Sequence, residues 1–179
     1  TYDHKSYGVY AIGRHRVHVT NGSIEKFAWG VSLADGRFGG DSVTDMKVSK
    51  VDILSAGYIG IGLEGFGSIA VDNTVTNVGG GSFQSLKYVY GIMFTGRSCL
   101  ALRNQVSEVY PDRPSAEGVA ISLSLNNSGC VLEQNLLANA TPVTTKNTFG
   151  VWIDVYSQAA MRQNQIQGFH YSGVVPPQT

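Results

Sequence analysis

Charge is the first thing in short supply. Only 15% of the 179 residues are Asp, Glu, Lys or Arg, and 13 basic side chains balance 13 acidic ones, so the formal net charge is zero. Nucleic-acid binding rests on an excess of Lys and Arg that displaces counterions, so no nucleic-acid partner is expected. Long apolar runs are missing too: none approaches the roughly 18 residues of a membrane-spanning helix, so no membrane span is expected. The first residues, Thr1-Tyr2-Asp3-His4-Lys5, do not read as a signal peptide. Two cysteines are too few for a disulfide scaffold. Amphipathic helices are also absent from the pattern, because Gly, Asn or a β-branched residue interrupts each candidate stretch before three turns are complete.

What the chain has instead is 22 glycines, 20 valines and apolar residues alternating with a period of two, which favours strands and turns. The length suits one domain over residues 1–179. Its main signal is self-similarity. A Gly followed by Val or Ile recurs in Tyr7-Gly8-Val9, Trp29-Gly30-Val31, Ile59-Gly60-Ile61, Tyr90-Gly91-Ile92, Glu117-Gly118-Val119, Phe149-Gly150-Val151 and Ser172-Gly173-Val174, at intervals of 22, 30, 31, 27, 32 and 23 residues. Two positions after the middle five Val or Ile residues stand Leu33, Leu63, Phe94, Ile121 and Ile153, the alternation of a strand with one buried face.

A second element follows in six copies, with apolar pairs three apart: Ile24 and Phe27, Val48 and Val51, Val75 and Val78, Val106 and Val109, Leu137 and Ala140, Ile166 and Phe169. Two residues before the first member, the last four copies carry Asn73, Asn104, Asn135 and Asn164; five residues before it stand Val19, Val43, Ala70, Ala101, Leu132 and Met161. Periods of this size belong to solenoids, propellers and arrays. Propeller blades need hairpin turns that are scarce here, and helical repeats need the missing 3.6-residue period. Short strands with Gly and Asn at their corners, and one apolar column per repeat, fit a coil of parallel strands. Successive coils then stack about 4.8 Å apart, and equivalent residues form ladders.

Leu132-Glu133-Gln134-Asn135-Leu136-Leu137 and Met161-Arg162-Gln163-Asn164-Gln165-Ile166, with the Gly-Val/Ile strands before them, resemble the repeats of the pectin-lyase-like superfamily over residues 7 to 175. The resemblance implies an all-β fold, a right-handed parallel β-helix solenoid of about six coils. It also implies a carbohydrate-directed protein, extracellular or at the cell surface, that binds or modifies an extended polysaccharide on an outer strand face. If it is an enzyme, the activity is lyase-, glycoside-hydrolase- or epimerase-like. The polygalacturonase signatures Asn-Thr-Asp and Gly-His-Gly are missing, and Trp152-Ile153-Asp154-Val155 keeps three letters of a pectate-lyase motif without its histidine. The alternative is a non-catalytic scaffold of phage-tail, adhesin or surface-array type, forming a homo-oligomer through an uncapped end.

The repeat alignment nominates candidates. Cys99 and Cys130 fall in one inward column with Ser68 and Ala159, and a ladder spacing wider than a disulfide prefers predicts two reduced thiols. An outward column reads Asn21, Asp45, Asp72, Arg103, Gln134 and Gln163. Stacked, Asp45 and Asp72 would form a carboxylate pair beside Arg103, suited to acid and nucleophile roles or to holding calcium. These three are the catalytic candidates. Asp35 and Glu64, with Arg37 and Arg97 near and Asp154 three coils on, form a second acidic group. Together with Trp152, residues 35, 64, 37 and 97 are the substrate-binding candidates. A strand over residues 14 to 19 would align Arg14, Arg16 and His18 as a basic stripe. Aromatics precede the glycine in several coils (Tyr7, Trp29, Tyr90, Phe149), and Tyr10 and Trp152 face outward, where rings serve either as sugar platforms or as cover for the core edge.

Overall fold

The computed structural model describes residues 6–36, 42–79, 87–111, 115–124, 127–140, 147–154 and 156–175. Every paired strand runs parallel, and the described residues contain no helix. The chain is a parallel β-solenoid. Its first winding is β1 (Tyr7–Ile12) and β2 (His18–Glu25), and its second is β3 (Trp29–Ala34) and β4 (Lys47–Leu54). Three strands make up each of the next four: β5 (Ile59–Glu64), β6 (Ile69–Val71) and β7 (Thr74–Val78); β8 (Tyr88–Thr95), β9 (Leu100–Leu102) and β10 (Gln105–Val109); β11 (Glu117–Leu123), β12 (Cys130–Glu133) and β13 (Leu136–Ala138); β14 (Asn147–Ile153), β15 (Ala159–Arg162) and β16 (Gln165–Gln167). β17 (Tyr171–Val175) lies on β14. Four windings thus have the full three-strand form, against the six coils expected. In the two before them the second and third strands are fused, since β4 pairs with β6 through Lys47–Ser49 and with β7 through Asp52–Leu54.

One sheet stacks the leading strands in the order β1-β3-β5-β8-β11-β14-β17, and the remaining ten strands form the other. Between them runs a single apolar core that includes Val31, Leu33, Ile61, Leu63, Ile92, Phe94, Ile121 and Leu123 from the first sheet and Val48, Ile53, Val75, Val106, Leu132 and Leu137 from the second. The glycine column explains how the sheets approach so closely. A Cβ on Gly8, Gly30, Gly60, Gly91 or Gly150 would fall inside contact distance of the branched side chains of Ile24, Ile53, Val75, Val106 and Ile166 respectively. In the β11 winding the place of Gly91 is taken by Ala120, because Val119 pairs with Tyr90 and Ile121 with Ile92. The facing residue there is Leu137, which has no branch at Cβ. Gly118, aligned with this column in the sequence, lies elsewhere and is glycine because a Cβ would sit 2.7 Å from the Val109 carbonyl.

The asparagines form the expected buried ladder. Asn73 Nδ2 donates to Asn104 Oδ1 (2.9 Å), Asn104 Nδ2 to Asn135 Oδ1 (3.0 Å) and Asn135 Nδ2 to Asn164 Oδ1 (2.8 Å). Each amide also donates to a carbonyl of the preceding winding, Val48, Ala70, Ala101 and Leu132 in turn. The oxygens take in backbone N–H groups: Val51 to Asn73, Asn73 to Asn104, Asn104 to Asn135 and Asn135 to Asn164. At this corner the chain cannot continue its strand ladder, so the side chains satisfy its backbone groups. The residue before each member, Asp72, Arg103, Gln134 or Gln163, is left-handed, and so are Asn21 and Lys50 at the same place in the two windings before, all with φ between 52° and 56°.

Two expectations are corrected here. Cys99 and Cys130 are vertical neighbours as aligned, between Ser68 and Ala159, but they are joined in a disulfide. Their Cα atoms stand 4.4 Å apart, closer than the mean ladder spacing behind the free-thiol expectation and within disulfide reach. The second copy of the repeat is also shifted by five residues. Val48 stacks on Val19 and Ala70, and Ile53 on Ile24 and Val75. Lys50 therefore occupies the column that the alignment gave to Asp45.

Among the described residues no helix is long and apolar enough to cross a membrane. Two outcomes check the packing argument. Gly60→Ala is expected to lower the unfolding free energy in urea by about 2–3 kcal/mol, whereas Gly22→Ala, with open space around its Cβ, changes it little. Asn104→Ala, which strands the Asn73 N–H groups and the Ala70 carbonyl, is expected to cost about 3 kcal/mol or more in the same assay.

Candidate functional site

In the first sheet each glycine and the Val or Ile after it face the core, whereas the residue before the glycine and the one between the two core residues of the strand face out, and successive windings place these in columns. One column is Tyr7, Trp29, Ile59, Tyr90, Val119, Phe149 and Tyr171; the next is Tyr10, Ser32, Gly62, Met93, Ser122 and Trp152. The rings join into a continuous file. Tyr10 meets Tyr7 with centroids 4.5 Å apart, Tyr7 meets Trp29 (5.6 Å), Trp29 meets Tyr58 (5.0 Å) and Tyr58 meets Tyr90 (6.3 Å). From there Tyr90 meets Tyr88 (5.9 Å), Tyr88 meets Trp152 (6.1 Å), Trp152 meets Phe149 (4.9 Å) and Phe149 stacks on Tyr171 (4.8 Å). The file passes from β1 to β17, the whole height of the sheet. Ile59, Met93, Val119 and Phe149 are buried but lie outside the inner core cluster, so the rings cover an apolar layer of their own. The ends of the file are open to solvent, Tyr10 at 50% and Tyr171 at 43%.

The file opens into a cleft of about 160 Å³ lined by Tyr88, Tyr90, Val119, Ser124, Trp152 and Asp154. Three rings form its walls, and a hydroxyl and a carboxylate supply its polar groups. The Ser124 hydroxyl shares a 2.9 Å hydrogen bond with that of Ser122. Burial, with lesser contributions from neighbouring tyrosines and carboxylates, pushes the Tyr90 phenol well above its usual range, so it stays a neutral donor. Lys87 Nζ lies 4.9 Å from the centre of the Tyr88 ring. Trp152, Tyr90, Tyr7, Trp29 and Phe149 were legible from the repeat. Tyr58 and Tyr88 were not: Tyr58 sits in a turn outside the repeat, and the signal that could have found Tyr88 is its two-residue spacing from Tyr90 on one strand.

The acidic candidates partly converge. Glu64 heads a column through Thr95 and Ser124 to Asp154, as the three-coil spacing anticipated, while Asp35 sits one position beyond Ala34, the strand neighbour of Glu64 in register. Asp35 is buried and accepts from Ser42 through its hydroxyl (2.5 Å) and its N–H (3.0 Å), and its own N–H donates to Glu64 Oε2 (3.2 Å). Glu64 is pushed above the usual carboxylate range, mainly by burial. The Asp35 charge adds to this, and the Asp35 N–H opposes it. Arg97 is exposed at the turn after β8, and Arg37 lies outside the described residues.

The catalytic candidates do not form a carboxylate pair. Arg103 grips Asp72 through two bonds, Nε to Oδ1 at 2.7 Å and Nη2 to Oδ2 at 3.0 Å, on an open corner. Lys50 stands one winding before and Gln134 one winding after, and Gln134 Nε2 donates to Gln163 Oε1 (2.9 Å). Asp45 belongs to another left-handed corner, with Arg16 and Ser98. Among the described residues no three His, Cys, Asp or Glu side chains gather to hold a metal ion, so the calcium expectation finds no ligand cluster there. The basic stripe is not a strand either: β2 begins at His18, and Arg16 is left-handed.

Opposite pH dependences follow. Glu64, raised in the fold from 4.5, favours folding when protonated, an effect full at low pH and lost as pH rises through the folded value. Asp72, held below 3.8 chiefly by the Arg103 hydrogen bond, favours folding when ionised, an effect lost as pH falls through its folded value. In thermal melts Glu64→Gln is expected to raise Tm at pH 7 but not at pH 3. Asp72→Asn is expected to lower Tm at pH 7 and to converge on wild type near pH 2.

No protein-family model matches the chain, and neither a curated protein nor a solved structure does.

Proposed function

We propose that this chain is a carbohydrate-directed β-solenoid that holds an extended polysaccharide against the outer face of its seven-stranded sheet. The observation that carries the reading is the file of rings from Tyr10 to Tyr171. The apolar faces of pyranose rings stack on aromatic faces, and the file offers rings where it meets solvent, at Tyr10, at Tyr171 and in the cleft of Tyr88, Tyr90 and Trp152. The cleft at Tyr88, Tyr90 and Trp152 adds the few polar groups that orient a sugar. The repeat pattern, which resembles that of the pectin-lyase-like superfamily, supports the same class of ligand. Binding rather than cleavage is favoured, because Asp72 is committed to Arg103 and Asp45 stands in a different column. The Cys99–Cys130 disulfide supports an oxidising, extracellular or cell-surface location.

Affinity electrophoresis through gels containing soluble polysaccharides tests this. At least one polysaccharide is expected to retard the wild type, and Trp152→Ala, checked for an unchanged far-ultraviolet spectrum, is expected to lose about tenfold in affinity, the loss of one stacked ring. Retardation by none of the polysaccharides, or retardation indifferent to Trp152, would sink the reading.

A further inference from the structure

A patch on the outside of the ten-stranded sheet is apolar where a solvated face would be polar. In β6, β9 and β12 the residues Ala70, Ala101 and Leu132 turn into the core, so their neighbours turn out: Ile69, Leu100 and Val131 form one column, and Val71 and Leu102 stand in the next. All five are half-buried. Farther along the same windings the residues flanking the inward Val75, Val106 and Ile166 are polar, Thr74 and Thr76, Gln105 and Ser107, Gln165 and Gln167; β13, with Leu136 and Ala138, departs from that. Charges bound the apolar patch along the solenoid axis. Lys47 precedes Ile69 in its column, and Glu133 and then Arg162 follow Leu102 in theirs.

We infer that this patch is the contact surface of a homodimer, in which two copies lie side by side and antiparallel about a two-fold axis that runs along the strands between β6 and β9. The charges place the axis. With it there, β6 faces β9 of the partner and β4 faces the partner's β12, so Ile69 meets Leu100, Val71 meets Leu102, and Lys47 comes beside Glu133 of the partner, each contact being made twice. At the adjoining corner Asp72 comes opposite Arg103 of the partner. Other placements fail: an axis on β9 sets Lys47 against Arg162, an axis on β6 sets it against Leu100 and Leu102, and a parallel alignment brings every charge toward its own duplicate. The match needs no unpaired charge. Within one chain Lys47 already attracts Asp72 and Glu133 attracts Arg103, and the dimer extends that alternation. Apolar area supplies the attraction, and the charges supply the register. Five apolar side chains fall short of the roughly 20 residues a side of a standard interface, which suits a dimer that forms at micromolar concentration and above. The rings lie on the other sheet and take no part, so the inference is independent of the polysaccharide reading.

Sedimentation velocity over about 1 to 300 µM protein tests this. Wild type is expected to pass from monomer to dimer and to stop there, because a two-fold contact closes on itself. Leu100→Lys, checked for an unchanged far-ultraviolet spectrum, is expected to stay monomeric. Lys47→Glu and Glu133→Lys change the outer surface alone; each is expected to weaken the dimer about tenfold, since the pair occurs twice, and the double variant Lys47→Glu/Glu133→Lys is expected to recover wild-type association. A monomer at every concentration would overturn the inference, as would assembly that grows beyond two copies, the mark of end-to-end stacking. A dimer indifferent to Leu100→Lys, or a double variant that fails to recover, would overturn it as well.

Discussion

Parallel pairing between one winding and the next is the constraint from which the rest of this structure follows. It fixes each side chain over its counterpart some thirty residues away, so any column must consist of side chains that tolerate their own kind at ladder spacing. Asparagine does more than tolerate it. In the column from Asn73 to Asn164 each amide is donor to one neighbour and acceptor for another, and it closes the backbone groups left open at the corner. The left-handed residues beside it, Asp72, Arg103, Gln134 and Gln163, carry a steric cost that glycine would not. The hydrogen bonds of the ladder offset that cost and hold the corner in one shape.

The same stacking rule places the rings. Inside the solenoid the first sheet is pressed so close to the branched side chains of the second that a column of glycines, with Ala120 beside Leu137, is all that fits. The Val or Ile after each glycine turns into the core, and the large side chains before the glycines go to the outside. Once there, they lie one above another and cover Ile59, Val119 and Met93. An aromatic face along the axis is thus a by-product of tight inner packing, and the cleft between Tyr88, Tyr90 and Trp152 lies where the columns Ser32–Ser122 and Glu64–Asp154 offer small or polar residues instead of further rings.

Much of this was legible from residue order. The glycine spacing announced the leading strands, and the asparagines announced the ladder, because both demand one specific residue type at one place. Errors arose where a different residue served the same place or the same residue served another. Ala120 replaces glycine in its column, while Gly118 answers to a separate close approach at Val109. Val43, Val48 and Val51 mimic the spacing of Val48, Ile53 and Ala56, and only backbone pairing distinguishes them, which is why Asp45 was stacked on Asp72. The disulfide was missed because a backbone ladder spacing was set against the preferred Cβ separation of a disulfide, although Cα atoms at ladder spacing, 4.4 Å here, are within its reach. Of the candidate site, Trp152, Glu64 and Asp154 were found by column, whereas Tyr58 lies outside the repeat, and three-dimensional contact alone reveals its part in the file.

The Cys99–Cys130 bond ties the β8–β10 winding to the β11–β13 winding. Tension applied along the axis of a stack held otherwise by non-covalent ladders peels windings away from either end, each strand in turn surrendering its bonds to the next. Such tearing cannot pass through the cross-linked pair. The molecule has a rivet near mid-height, and the ring cleft, built from β8, β11 and β14, sits at the level of that rivet, where a load transmitted by a tethered polymer would do least damage.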